Sequence, residues 1–167
     1  MARNDIQPFS ATDGSHEVVV FPLAASQSVA QGEPVAVTAG ELSEATDDPP
    51  AIKGIAVAPT FFGTLNGNTT VRPTGTLIQC YSTARRQTFY SKNFATDGAG
   101  TAATPTVANA TGRLAGLTLT GGGSWVVDTG CDNLIVEILE VRTANGSILG
   151  EPKTAGLTGT TVVFRFL

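Results

Sequence analysis

The chain has few of the residues on which enzymes depend for acid, base and nucleophilic chemistry. In 167 residues it has one histidine, His16, and two cysteines, Cys80 and Cys131. A serine or cysteine nucleophile needs a base beside it, and His16 lies in or next to a polar N-terminal segment, where we expect it to be solvated. No Gly-x-Ser-x-Gly turn, phosphate-binding loop or dinucleotide-binding motif is present. We therefore predict that the chain is not an enzyme and that it uses no cofactor.

Metal ligands are scarce as well. Two isolated cysteines are too few for a disulfide framework or a zinc knuckle, so we expect two buried thiols. Carboxylates gather in one segment, Glu41 to Asp48, and carboxylate oxygens are good calcium ligands. Their spacing matches no known calcium loop, so we predict no metal site. Residues 41–50, which end in Pro49-Pro50, are instead expected to form a solvated acidic turn at a sheet edge or an exposed tip.

Charge and long apolar runs are also in short supply. Charged residues make up 14% of the chain, against about 25% in typical soluble domains. The net charge is −4 and the only basic pair is Arg85-Arg86, which argues against nucleic acid as the main partner. No run approaches the roughly 18 apolar residues of a membrane helix, and the start carries no signal region. We expect a protein made in the cytoplasm with no membrane partner.

Glycine, threonine and short β-branched runs are abundant. The chain contains 19 glycines, and turn residues separate about ten apolar runs of strand length. This pattern predicts an all-β fold, either a small β-barrel or a sandwich, with an extended N-terminal arm and long loops. Residues 134–141 fit both strand and helix spacing, and their β-branched content and turn-rich flanks favour a strand.

Changes in composition divide the chain into four parts. Residues 1–16 are polar and are expected to form an extended arm outside the core, and residues 17–94 a β-barrel-like domain. Residues 95–111 are predicted to be a loop. Residues 112–167 form a second small β unit or continue the same sheet system. The last residues, Thr160 to Leu167, read as a strand tied into a sheet of this chain or of a neighbour.

One tripeptide resembles a catalytic signature. The run Trp125 to Cys131 contains Asp128-Thr129-Gly130 after apolar residues, as in aspartic proteases, where two such aspartates share a proton. This chain has one copy, so a protease would have to be a dimer. The apolar-apolar-Gly segment Ile148 to Gly150 follows too closely to cross under the active-site loop. The other interpretation, which we favour, is a strand ending in a turn that Asp128 caps and in which Gly130 supplies a positive φ.

The candidate contact residues are arginines and aromatics, because these residue types dominate binding hot spots. Arg85, Arg86, Phe89 and Tyr90 form one mixed run, although Phe89 could equally be core and the arginines could pair with the acidic segment. Phe9 is an aromatic residue in an otherwise polar arm, which suggests docking. The candidate contact set is completed by Arg3 on the arm and by Phe164 and Phe166 on the C-terminal strand.

The central part of the chain resembles a known family. Gly32 to Val37 (Gly-Glu-Pro-Val-Ala-Val), Gly40-Glu41 and Ile52 to Ala58 (Ile-Lys-Gly-Ile-Ala-Val-Ala) are similar to the small β-barrel of tailed-bacteriophage capsid decoration (cement) proteins. The run from Trp125 to Val141 is similar in character to other phage structural proteins. The resemblance implies a homotrimer on the outer surface of the phage head at three-fold and quasi-three-fold positions. There it would clamp adjacent major capsid protein subunits.

The sequence suggests three functions. The first is capsid decoration, in which the partners are the major capsid protein and copies of the chain itself, on the outside of the virion. The second is another virion component, such as a head fibre or tail part, or a glycan-binding β module with an aromatic platform around Trp125. The third, more remote, is the dimeric aspartic protease that would use Asp128.

Overall fold

The protein consists of strands joined by turns and loops. A computed structural model describes residues 5–9, 16–27, 29–57, 74–84, 87–150 and 157–167. Within these ranges there is no helix, and none therefore that could span a membrane. The strands are β1 (Gln7–Pro8), β2 (Val18–Pro22), β3 (Pro34–Thr38), β4 (Glu41–Glu44), β5 (Gly54–Ala56), β6 (Leu77–Ser82), β7 (Thr88–Ser91), β8 (Phe94–Ala95), β9 (Leu114–Leu119), β10 (Trp125–Asp128), β11 (Val136–Arg142) and β12 (Thr161–Phe166).

The strands form two sheets. One has five strands in the order β2-β6-β5-β3-β4, and the other has seven in the order β1-β7-β12-β11-β9-β10-β8. The β10–β8 pair is parallel and the other ladders of the described residues are antiparallel. A bridge between Leu23 and Leu42 brings the two edges of the five-stranded sheet together without a continuous ladder. The predicted all-β fold is confirmed, and its architecture is sandwich-like rather than a closed barrel.

Two apolar clusters make up the core. The larger is built mainly from the seven-stranded sheet, for example Phe89, Leu117 and Phe164, and includes Ile55 of β5. The smaller lies on the other side of β5, where Ala56 joins Leu23, Val35, Leu42, Ile78 and Cys80. Successive side chains of a strand point to opposite faces, so the short strand β5 contributes to both clusters. It is thereby the element that connects the two sheets.

The run that fitted both helix and strand spacing forms strand β11. Val136 and Ile138 are buried while Glu137 between them is half-buried, as the alternation of a strand requires. The ladder with β12 then shifts between Ile138 and Glu140, and this bulge brings Val141 onto the buried side. The strand interpretation of residues 134–141 is therefore confirmed over most of its length.

The prediction that the whole acidic segment is a turn is wrong. Its first four residues form β4, which pairs with β3 and buries Leu42. The hairpin turn lies before the segment, at Ala39 and Gly40, with φ values of 52° and 87°. Two consecutive positive φ values are the requirement of the tight hairpin turn that matches strand twist. The sequence pattern missed the strand because glutamates at both of its ends hid the alternation.

The C-terminal strand belongs to this chain's own sheet. β12 lies between β7 and β11 and pairs with both. The expectation that it could complete a neighbour's sheet is therefore wrong, because neither of its edges is open. β7 precedes the predicted loop 95–111 and β12 follows it, so the seven-stranded sheet combines strands from both of the predicted β regions.

The described part of the N-terminal arm is extended but does not stay outside the core. β1 pairs with β7, and Ile6 is only 1% exposed within the larger cluster. His16 is half-buried as well: its ring packs edge-on against Tyr81 and Phe89, and Nε2 lies 2.9 Å from the Thr88 carbonyl oxygen. The predictions of an arm outside the core and of a solvated histidine are wrong, because one apolar residue and one ring find partners that are distant in sequence.

Candidate interaction surfaces

The arm is fixed at its start by a carboxylate. Asp5 accepts hydrogen bonds from the backbone N–H of Trp125 (2.8 Å) and from the side-chain amide of Asn93 (3.1 Å). The Asn93 amide also donates to the Trp125 carbonyl at 3.0 Å. A carboxylate that accepts two such bonds is strongly held. The start of the arm is therefore held at one defined place, against Asn93 and the first residue of β10.

Trp125 itself does not form a surface platform. Its side chain is only 2% exposed and packs in the larger core cluster. The aromatic platform that a glycan-binding module would present around Trp125 is therefore absent. This removes the feature on which that alternative depended.

A group of aromatic and polar side chains follows the arm along the sheet surface. We call Gln7, Phe9, Tyr90 and Arg142 the Phe9 cluster. The rings of Phe9 and Tyr90 meet edge to face with centroids 6.4 Å apart, and the Tyr90 hydroxyl donates to the Gln7 amide oxygen at 2.5 Å. The backbone N–H of Phe9 donates to the Thr88 carbonyl at 2.8 Å. This hydrogen bond fixes the backbone that carries the Phe9 ring.

Arg142 gives the Phe9 cluster its charge. Its guanidinium carbon lies 4.7 Å from the centre of the Phe9 ring. Glu140 receives hydrogen bonds from the guanidinium at 2.6 Å, and the Gly146 carbonyl receives another at 3.1 Å. Cation–ring contacts at partly exposed sites contribute about 0.5–1 kcal/mol. The cluster is thus a half-buried, pre-ordered surface of two rings and one cation.

A small polar cleft borders the Phe9 cluster. It has a volume of about 210 Å³ and is lined by Asp5, Gln7, Tyr90, Lys92 and Asn93. The Asp5 carboxylate and the Asn93 amide in it are already bonded to the backbone of β10. The exposed Lys92 ammonium is the cationic group in its lining.

Several predicted contact residues lie in the core. Phe89, Phe164 and Phe166 are all buried and contact one another with ring centroids 5.4–6.2 Å apart. As contact residues these three were wrongly chosen, because side chains that alternate inward on β7 and β12 fill the larger core cluster. Phe9 and Tyr90 are half-buried at the surface. Arg3, Arg85 and Arg86 lie outside the described residues.

Comparison with known proteins identifies no relative. No protein-family model, curated protein or solved structure matches the chain.

Asp128, the residue of the protease-like signature, serves the backbone. Its carboxylate is fully buried and accepts hydrogen bonds from the N–H groups of Gly98 (3.1 Å), Gly100 (3.1 Å) and Gly130 (2.8 Å). The Thr118 hydroxyl lies 3.5 Å from the same carboxylate. With its oxygens engaged in this way, Asp128 is not presented to a water or a substrate. This geometry supports the turn interpretation over the catalytic one.

Gly130 is needed for space rather than for a positive φ. A Cβ on Gly130 would lie 2.4 Å from the Gly98 nitrogen and 2.6 Å from the Asp97 carbonyl carbon. Its own φ is outside the left-handed region, so the expected positive φ is wrong. The two loops touch backbone to backbone, and only glycine permits that approach.

The two aspartates of the acidic segment also bind backbone groups. The Asp47 carboxylate accepts the N–H of Leu119 at 2.7 Å, and the Asp48 carboxylate accepts the N–H of Asn133 at 3.2 Å. The Asp48 N–H in turn donates to the Leu117 carbonyl at 3.1 Å. The expected solvated tip is therefore a docked loop that continues the edge of β9. Among the described residues no three histidine, cysteine or acidic side chains are grouped so as to hold a metal ion.

Both cysteines are free, and burial makes both poor nucleophiles. Burial raises the pKa of Cys80 to about 12, and chiefly burial raises the pKa of Cys131 to about 11. Cys80 is buried in the smaller cluster, whereas Cys131 is half-buried with its sulfur 3.0 Å from the Thr118 hydroxyl. The thiolate is the reactive form, so neither side chain is set up for catalysis at neutral pH.

Sequence reasoning missed Arg142 and Gln7, which complete the Phe9 cluster. Both become relevant only through pairing: Gln7 lies opposite Tyr90 in the β1–β7 ladder, and Arg142 reaches Phe9 from β11. No local pattern in the sequence marks either residue.

Proposed function

We propose that the chain is a structural virion protein that binds the outer surface of a phage head and stabilises contacts between major capsid protein subunits. We propose further that it does so as a homotrimer. The resemblance of residues 32–58 to capsid decoration proteins suggests this function. The chemistry of the described residues is compatible with it, because the buried carboxylates and thiols serve folding rather than catalysis.

The observation that carries the proposal is the Phe9 cluster. Arginine and aromatic residues dominate the energetics of protein interfaces, and here two rings and a guanidinium are held together on the surface. Their positions are fixed by β pairing, by the Tyr90–Gln7 hydrogen bond and by the Glu140 ion pair. A surface that is already ordered loses little conformational entropy on binding.

The mechanism is added interface between capsomers. Each copy would contact more than one capsid subunit, so that separating the subunits would also require breaking contacts with the decoration protein. Single contacts of modest strength are sufficient, because simultaneous contacts on a shell raise the overall affinity through effective concentration. A low content of charged residues, 14%, suits a protein whose neighbours lie close on every side.

Attachment to heads tests the proposal. The probe is a preparation of expanded heads built from the major capsid protein that the same genome encodes. We expect Phe9→Ala to weaken cosedimentation with these heads at least about tenfold, since hot-spot truncations cost more than about 1.4 kcal/mol. Leu157→Ala is the matched control, because Leu157 is an exposed apolar residue outside the Phe9 cluster. It should bind like the wild type.

The Phe9→Ala variant is a better test than removal of the N-terminal arm. Ile6 is part of the core, so deleting residues 1–15 would disturb the fold as well as the surface. If Phe9→Ala and Tyr90→Leu both attach as well as the wild type does, the Phe9 cluster is not the capsid contact. If the wild type itself does not attach, the proposed function fails.

A further inference from the structure

Among the described residues, the part of strand β2 at residues 18–20 has no neighbouring strand on its outer edge, and its outer surface is apolar. Just beyond the strand, the Ala24 N–H donates to the Leu42 carbonyl of β4 at 2.8 Å, so that end of the edge is covered. β2 is the terminal strand of the five-stranded sheet, and Val18 and Val20 are 47% and 48% exposed. On the neighbouring strand Leu77 is 55% exposed, opposite Pro22 in the ladder. Residues 18–22 carry no charge. This surface is separate from the Phe9 cluster, which lies on the seven-stranded sheet.

The backbone groups of Val18 and Val20 point away from the sheet. The Glu17 carbonyl accepts from Ser82 N–H at 2.8 Å, and Leu23 N–H donates to the Thr76 carbonyl at 2.8 Å, so residues 17 and 23 face β6. Hydrogen-bonding direction alternates along a strand, and Val19 and Phe21 therefore face β6 as well. Two N–H and two C=O groups, those of Val18 and Val20, are left on the open edge.

The other sheet edges are protected. β1 is two residues long and contains Pro8, which has no N–H to donate. β8 is covered by the following segment, where Ala103 N–H donates to the Phe94 carbonyl at 2.8 Å. β4 carries Glu41 and Glu44 at its ends. Charges, proline and short length are the usual means of blocking edge pairing, and β2 has none of them before Pro22.

We propose that β2 pairs with β2 of a second copy of this chain, antiparallel, with Val18 opposite Val20 of the other copy. In this register each copy contributes the N–H and C=O of both residues, so four hydrogen bonds form and pair the outward-facing groups of Val18 and Val20. A register shifted by two residues would place Val18 opposite Pro22, which lacks an N–H. Pro22 thus disfavours a shift in that direction, whereas a shift in the other direction would place Val20 opposite His16 instead of Val18.

The edge is suited to its own copy for three reasons. The register is symmetric about Val19, so the same strand can serve as both partners, as a two-fold contact requires. Valines then lie opposite valines on the exposed face, a favourable cross-strand pair. The two Glu17 side chains lie at opposite ends, four residues or roughly 13 Å apart along the ladder, which exceeds the Debye length of about 8 Å at physiological salt.

Val20→Pro tests the pairing with little effect on the monomer. It removes an N–H on the open edge that the β2–β6 ladder does not use, and proline is tolerated on edge strands. Val20→Thr keeps the N–H and the branched shape and is the matched control. The masses of all three proteins are measured by light scattering after gel filtration, and circular dichroism checks their folding.

We expect the wild type and Val20→Thr to contain an even number of chains, and Val20→Pro to have half their mass. This holds whether or not a three-fold contact is also present, and it does not depend on capsid binding. If Val20→Pro fails to fold, Val18→Lys with Val20→Lys replaces it, because charges on the edge oppose pairing. A wild type with an odd number of chains, or an unchanged mass in the folded variants, would overturn the proposal. Loss of head attachment at unchanged mass would assign the edge to a capsid strand and would overturn it equally.

Discussion

Four aspartates of this protein bind its own backbone. Asp5, Asp47, Asp48 and Asp128 each accept at least one backbone N–H from a distant part of the chain or from a tight turn. In a sequence with few charges, these carboxylates fix loops that lack a ladder of their own. In the sequence, these carboxylates are candidates for catalysis or metal binding. In the structure they serve folding.

Asp128 is the residue at which the role in folding competes with a catalytic interpretation. Replacing it distinguishes the two. Asp128→Ala removes the carboxylate that accepts three part-buried N–H groups, and a hydrogen bond to a charged group contributes about 1.5–3 kcal/mol. We expect the free energy of unfolding, measured by urea denaturation, to fall by about 3 kcal/mol or more. Asp132→Ala, at an exposed aspartate four residues later, should change it by less than about 0.5 kcal/mol.

The protease hypothesis predicts the opposite pattern for Asp128. There a change to alanine or asparagine would abolish cleavage and leave stability unchanged. An Asp128→Ala protein as stable as the wild type would contradict the backbone role that we assign to the carboxylate.

Burial of the Cys80 thiol makes the free energy of unfolding depend on pH in the alkaline range. This thiol has a pKa raised from about 9 to about 12 by burial, so the neutral form is favoured in the folded state. The stability gained in this way is complete below about pH 9 and is lost as the pH rises toward 12. The free energy of unfolding of the wild type should therefore fall more between pH 8 and pH 11 than that of Cys80→Ala. Parallel curves for the two proteins would show that the thiol stays un-ionised in both states.

At the scale of elements, local strands could be predicted from the sequence but their partners could not. β10 was anticipated as an apolar strand that ends in the Asp128 turn, β11 from its β-branched content, and β12 as the strand of the last residues. By contrast, the bond from Asp5 to Trp125 joins residues 120 positions apart, and no local pattern encodes it. The same limit explains why Phe164 and Phe166 were assigned to the surface: alternation gives two faces but not which face is covered.

The burial of Ile6 makes residues 5–9 of the N-terminal arm part of the folded unit. Large-to-small changes of buried aliphatic residues cost about 2–5 kcal/mol, so we expect Ile6→Ala to lower the free energy of unfolding by that amount. Leu114→Ala is the control, since Leu114 is 45% exposed on β9, and a change of less than about 0.5 kcal/mol is expected. Equal effects of the two changes in urea denaturation would show that the arm does not belong to the core.

For the molecule as a whole, the two sheets present two different surfaces. The seven-stranded sheet carries the Phe9 cluster, a polar and aromatic surface for which we propose the capsid as partner. The five-stranded sheet carries the open β2 edge, for which we propose a second copy. If both proposals hold, decoration proteins bound at neighbouring positions on a shell could also be joined to one another. The two surfaces can be tested independently, because Phe9→Ala and Val20→Pro alter different sheets.

The function that we propose for the chain is to strengthen a phage head from outside. The most direct test is to add the purified protein to expanded, DNA-filled heads that lack it and to record, with a DNA-binding dye, the temperature at which DNA is released. We predict that the protein cosediments with the heads and that decorated heads release their DNA at a higher temperature. Heads that do not bind the protein, or that bind it and release DNA at the same temperature as bare heads, would contradict the account.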